Sequence, residues 1–180
     1  MKTYDFAYGR GRKEFSIDES LVIKEVRTEE FTPMSDIKQG VLDAIYNPIG
    51  CEPIDKIIKP GDTVAFICND PTRLANSYDF MPVLVNEFNK LGVKDEDMHI
   101  VFSLGTHRDM THEEMVEAVG EEVSSRLKMY NSTATKDEDF EYFGTTSRGT
   151  PVWINKHLCH VDHVILTGTI VHHYFSGYGG

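Results

Sequence analysis

Cysteine is scarce in this 180-residue chain: Cys51, Cys68 and Cys159 are the only three, widely separated and in no C-x-x-C pattern. An odd, scattered set excludes a disulfide framework, argues against a cysteine-built metal site, and fits a reducing compartment in which each thiol is a small apolar filler. Long hydrophobic runs are also lacking. No apolar stretch approaches the ~18 residues that would span a bilayer, and Met1-Lys2-Thr3-Tyr4-Asp5-Phe6 has no apolar signal-peptide region, so a cytoplasmic protein that does not enter the membrane is expected. Positive charge is in deficit too, with 18 Lys and Arg against 29 Asp and Glu, a formal net charge of −11. Nucleic-acid affinity rests mainly on Lys and Arg neutralising phosphates, so a nucleic-acid partner is not expected and any anion must be met locally. Repeats, low-complexity tracts and internal linkers are absent as well.

What the chain does have is a hydrophobic content of 40%, which suits a single domain; at this length about 70% of the unfolded surface can be buried. Between Phe6 and Val26 two alternating runs, Lys13 to Ile17 and Leu21 to Ile23, flank Asp18-Glu19-Ser20 and predict short antiparallel strands. From Ser35-Asp36 the spacing becomes helical, through Ile37, Val41, Leu42 and Ile45, and stops at Asn47-Pro48. Thr63 to Cys68 is a continuous apolar run of the kind buried on both faces of a sheet, and Leu74 to Leu91 reads as a helix closed by Gly92. Met98 to Leu104 reads as a strand, and Thr111 to Val119 as a helix opened by a Thr111/Glu114 capping box. Val123 to Met129 predicts further helix, Asn131 to Asp139 a polar loop, Val152 to Ile154 a short strand and Val161 to Thr169 a last buried one. This alternation predicts an α/β fold: a mostly parallel, Rossmann-like sheet with helices on both faces, preceded by short antiparallel strands.

In an open parallel sheet ligands bind beyond the carboxyl ends of the strands, and three such ends carry chemistry. The first is Asp70-Pro71-Thr72-Arg73, ordinary turn chemistry on one view. On another, Arg73 is a planar fork for a carboxylate or phosphate, with Asp70 and Thr72 orienting polar groups. In the second, Gly105-Thr106-His107-Arg108, Gly105 permits a sharp turn that places His107 at a strand tip, where a neutral imidazole can take a proton. The third is His172-His173-Tyr174-Phe175-Ser176-Gly177-Tyr178-Gly179-Gly180, a glycine-rich loop that can bring backbone N–H groups to an anion. No helix follows it, so the chain reads as the first domain of a longer enzyme, cut inside this loop. Adjacent residues of an extended strand point to opposite faces, so only one of His172 and His173 can face a shared site. His112 reads as a solvated helix residue, and His157, His160 and His163 lack a metalloprotease context, so no metal ligands are expected within the chain. Two histidines from different strand tips suit a reaction that inverts a carbon centre, because each face of the substrate then has its own proton acceptor.

These motifs, in order and spacing, resemble the nickel-dependent lactate racemase family. The similarity runs from about Tyr8-Gly9 through Asn47-Pro48-Ile49-Gly50 and Lys59-Pro60-Gly61-Asp62 to Gly180. Its most specific parts are Asp70-x-Thr72-Arg73, Gly105-Thr106-His107-Arg108-x-Met110-Thr111-x-Glu113-Glu114, Gly149-Thr150-Pro151-Val152 with Ile154-Asn155, and His173-x-Phe175-x-Gly177-x-Gly179-Gly180. The resemblance implies an isomerase that racemises or epimerises 2-hydroxy acids by removing and returning a hydride through a tethered nickel-pincer pyridinium mononucleotide. On matched positions His107 and His173 are the two acid/base residues, while Asp70, Thr72, Arg73, Gly105, Ser176, Gly177, Gly179 and Gly180 line the cofactor and substrate pocket. The resemblance also places the attachment lysine, the nickel-ligating histidine and a C-terminal domain beyond residue 180, and implies cofactor-synthesis proteins as partners. Residues 1–180 are then the N-terminal catalytic domain of a two-domain racemase, inactive on its own. Two departures, Asp109 for a proline after the His-Arg pair and Leu74-Ala75-Asn76 for a proline-rich continuation, leave the bases intact but put substrate identity in question. The competing reading is a non-catalytic α/β module that binds a nucleotide or hydroxy acid; a metal-assisted hydrolase built on the eight histidines lacks the necessary spacing.

Overall fold

The computed structural model describes residues 1–27, 32–73 and 75–179, in two compact units, Met1–Pro33 and Met34–Gly180. In the first, β1 (Lys2–Tyr8) and β2 (Gly11–Ile17) form an antiparallel hairpin in which Tyr4 lies opposite Phe15 and Tyr8 opposite Gly11. Gly9 turns the chain at φ +59°, a left-handed conformation that glycine adopts without steric cost. Alternation gathers Tyr4, Phe6 and Phe15 on one face, with Phe6 and Phe15 stacked at 5.3 Å between ring centroids. The strand expected at Leu21 to Ile23 does not form. Asp18 accepts a hydrogen bond from the Ser20 N–H and opens a single 3₁₀ turn, Glu19–Leu21, so β2 finds its partner upstream instead.

The second unit begins with α1 (Ile37–Tyr46), where the Asp36 side chain accepts from the Gln39 N–H at 2.9 Å, and α2 (Ile54–Ile57). There follow β3 (Val64–Asn69), α3 (Ser77–Lys90), β4 (Met98–Gly105), α4 (His112–Val119), α5 (Glu121–Ser124) and β5 (Lys128–Thr133). An antiparallel pair, β6 (Phe140–Thr145) and β7 (Pro151–Asn155), leads through α6 (Lys156–Cys159) into β8 (His163–Leu166). The last pair, β9 (Val171–His173) and β10 (Gly177–Gly179), is also antiparallel.

Four of these strands make one parallel sheet in the order β5-β4-β3-β8. Of its two central strands, β4 and β3, the second has Val64, Ala65, Phe66 and Cys68 each at 0% exposure. Val64, Phe66 and Cys68 alternate onto the face that meets Met81, Leu84, Val85 and Phe88 of α3, with Phe66 edge-on to Phe88 at 5.2 Å. The other face is reached by α6: the His157 carbonyl lies 2.7 Å from His99 Nε2, and the His157 ring stacks on Tyr130 at 3.6 Å. Helices therefore flank both faces, as the alternation predicts. No helix among the described residues is long and apolar enough to cross a membrane.

Several boundaries depart from expectation, each for a local reason. Leu74 lies outside the described residues, and α3 starts only at Ser77 because Asn76 sits in the left-handed region at φ +50°. Helix stops at Ser124, and β5 takes up residues expected to be helix and loop. Its polar side chains are held by hydrogen bonds rather than by burial alone: the Asn131 amide exchanges bonds with the Met110 backbone, and Thr133 bonds Asp109. β8 is an edge strand, not a fully buried one; only His163–Leu166 pairs, and Leu166 is 76% exposed.

Candidate functional site

The carboxyl ends of β3 and β4 and the β9–β10 hairpin border one open cleft of about 420 Å³. Its size falls within the ~300–1,000 Å³ of ordinary small-molecule sites. Asp70, Arg73, Gly105 and His107 line it from the strand ends, and His173, Ser176 and Gly179 from the hairpin.

Asp70 follows β3 directly. Its Oδ1 accepts from the Thr72 N–H at 3.1 Å and from the Thr72 hydroxyl at 2.7 Å, and the Arg73 N–H closes a turn onto its carbonyl. The Asp70-x-Thr72-Arg73 spacing is thus the spacing of an Asx turn. Arg73 donates to the Thr72 hydroxyl at 3.1 Å and borders the cleft. Thr72 does not itself border the cleft; it links Arg73 to Asp70.

His107 arrives from β4 through Gly105, which holds φ +57°, while the His107 N–H bonds the Leu104 carbonyl at 3.0 Å. Its Nδ1 meets Asp70 Oδ2. The His107 side chain is 49% exposed to the cleft, whereas Asp70 is 6% exposed. Burial pushes the Asp70 carboxyl up, but the bonds from His107 and Thr72 outweigh it and leave the pKa below the usual carboxylate value. Asp70 is therefore a carboxylate that can only accept, so the His107 Nδ1 that faces it is the donor.

Of the two adjacent histidines, His173 lines the cleft, and His172 packs edge-on against Tyr178 at 5.5 Å. The Phe175 and Ser176 backbone N–H groups both donate to His173 Nδ1, at 3.1 and 3.3 Å. Two donors that the loop could have offered to an anion are thus committed to a ring. Gly177 makes the hairpin turn at φ +71° and pairs with His173, and Gly180 lies outside the described residues.

The remaining polar candidates have structural partners. Arg108 forms a two-pronged pair with Glu114 at 2.6 and 2.8 Å, Asp109 bonds Thr133 and Lys136, and His112 is an exposed helix residue. His157 packs on Tyr130, His160 faces Glu141, and His163 lies 2.8 Å from Asp62. Among the described residues no group of three His, Cys, Asp or Glu side chains is placed to hold a metal ion. Asn69, Ser103 and Thr169 also border the cleft and were not singled out in the sequence. Asn69 ends β3 and pairs in register with Ser103, two residues before the end of β4, so their position near the strand ends was the available signal.

Fold and cleft together define an α/β domain with an open cleft beyond the carboxyl edge of a parallel sheet. Residues 8–180 match the lactate racemase N-terminal domain family, and the chain belongs to it. Two curated relatives are lactate racemases. That of Lactiplantibacillus plantarum is 27% identical over 143 residues, covering 79% of this chain, and that of Thermoanaerobacterium thermosaccharolyticum is 25% identical over 182 residues, covering 100% of it. This chain spans 34% and 42% of their respective lengths. The solved structure of the lactate racemase apoprotein from T. thermosaccharolyticum has the same fold, with a TM-score of 0.81 at 24% identity; the match covers 99% of this chain and 42% of that one.

Proposed function

We propose that this chain supplies the acid/base half of a 2-hydroxyacid racemase, with lactate the first substrate to test. The observation that carries the reading is that His107, His173 and Arg73 border a single cleft. A 2-hydroxy acid presents a carboxylate, a hydroxyl and one hydrogen on the carbon to be inverted. Arg73 matches the carboxylate as a planar fork and is the only Lys or Arg among the described residues of the lining. His107 Nε2 can take the hydroxyl proton. The imidazolium so formed keeps its Nδ1–H on Asp70, whose negative charge stabilises it, in the manner of a buried carboxylate orienting a catalytic histidine.

The hydride has to go elsewhere, because none of the described side chains around the cleft can accept one. We assign that role to the nickel-pincer pyridinium mononucleotide, whose ring supplies, when bound, a carbon that accepts and returns a hydride. The cleft volume fits such a group, with Ser176 and Gly179 on the hairpin side, and we assign its metal ligand and covalent tether to residues beyond 180. Proteins that synthesise that group are then required partners. The cytoplasm, where the three free thiols stay reduced, is the assigned compartment. On this reading Arg73 would hold the substrate carboxylate throughout, and a protonated histidine would give its proton back to the substrate oxygen.

The test is conversion of D-lactate to L-lactate by the cofactor-loaded gene product that carries this chain. Replacing His107 or His173 by Ala is expected to lower the rate by about 10²–10⁴-fold, the range for a lost general acid or base. Lactate binding that survives both substitutions, with no interconversion at any stage, would mark a binding module and overturn the proposal.

A further inference from the structure

The two cleft histidines are held at the same ring atom by partners of opposite character. His107 Nδ1 meets the carboxylate of Asp70, which can only accept, so that nitrogen must carry the hydrogen. His173 Nδ1 receives the N–H groups of Phe175 and Ser176 at 3.1 and 3.3 Å, which can only donate, so that nitrogen must be bare. A neutral imidazole has one hydrogen to place, and fixing Nδ1 fixes Nε2 as its opposite.

We infer that the resting cleft holds its two histidines in opposite neutral tautomers, His107 with a bare Nε2 and His173 with an Nε2–H. The purpose of the arrangement rests on the racemase reading; the arrangement itself does not. In this state His107 is the ready base: the substrate O–H bond breaks, an N–H bond forms at Nε2, and the ring's new charge faces Asp70. His173 meanwhile offers a hydrogen bond to a substrate oxygen and cannot accept a proton at Nε2. For His173 to serve as the base it must first move its hydrogen to Nδ1, and the Phe175 and Ser176 N–H groups then have to withdraw. The hairpin loop is thus a lock on the protonation pattern of one base, and its loosening is part of the return direction. Phe175 and Ser176 act here through their backbones, as positioning residues.

Long-range ¹⁵N–¹H correlation spectra of the 180-residue chain, labelled on histidine and recorded above the pH at which its imidazoles titrate, read the tautomers directly. Signals are assigned by their loss in His107→Gln and His173→Gln. The expected result is a protonated-type nitrogen shift at Nδ1 of His107 and at Nε2 of His173, with unprotonated-type shifts at the other two positions. Asp70→Ala is expected to release His107 into a tautomer mixture and leave His173 unchanged; if that variant does not fold, the spectrum of the unaltered chain still decides. The same tautomer at both rings, or averaged shifts at His173, overturns the inference. Opposite tautomers in a protein that never interconverts lactate would leave it standing while removing the racemase reading.

Discussion

At the scale of single residues, the site is a hydrogen-bonded line, Arg73 to Thr72 to Asp70 to His107, set at the ends of two adjacent parallel strands. Every member was visible in the sequence as a residue worth inspecting. What the sequence could not show is that Asp70 belongs to His107, because the pair is 37 positions apart and meets only when β3 and β4 come into register. Nor could it show that the loop after His173 turns N–H groups back onto that ring. Gly105 gives this scale a direct test. It adopts φ +57°, and a Cβ there would meet nothing within 4 Å, so a substitution acts through backbone strain alone. Gly105→Ala is expected to cost about 1–2 kcal/mol, the penalty of a left-handed residue with a side chain. Denaturant unfolding measures that cost, and activity should fall as well, because the same turn aims His107.

Among the elements, α4 is the one whose start was written in full. Thr111 and Glu114 form the expected capping box, and Arg108, expected only as part of the motif, grips the same carboxylate from outside. Thr111→Ala should destabilise the domain by about 1 kcal/mol, as lost caps do, and a thermal melt shows it. Arg108 and the Thr111 N–H hold the Glu114 carboxyl down at about 2. Because its folded pKa lies below the unfolded value of about 4.3, its support for α4 is complete above that pH and fades as the pH falls toward 2. Melts of Glu114→Gln and the unaltered chain should therefore differ at pH 7 and converge in acid. Other elements were harder to read. β5 reads as the end of a helix followed by a loop, because its Asn, Ser and Thr side chains find tertiary hydrogen bonds, which periodicity does not register. β8 reads as buried although it lies at the edge of the sheet, because an apolar run looks the same in both places.

For the molecule as a whole, the larger unit is braced by Arg126, which joins Asn86 and Asn89 of α3 to Asp95 in the turn before β4 at 2.6–2.9 Å. That clasp ties the helical layer to the entry of the sheet, so Arg126→Ala is expected to lower global stability by about 1–2 kcal/mol, with the loss seen equally by probes of helix and of core. The class of fold was legible from the alternation of strand and helix, and the family from ordered motifs. The bonding of the two cleft histidines was not, and under the proposed racemase function that unlike pair of rings carries a thermodynamic consequence. Enantiomers have equal free energies, so a racemase must show the same ratio of turnover to half-saturation for each. Walls built differently for the left-handed and right-handed acids are therefore free to make one bind more tightly and react more slowly in equal measure, without moving the final one-to-one mixture.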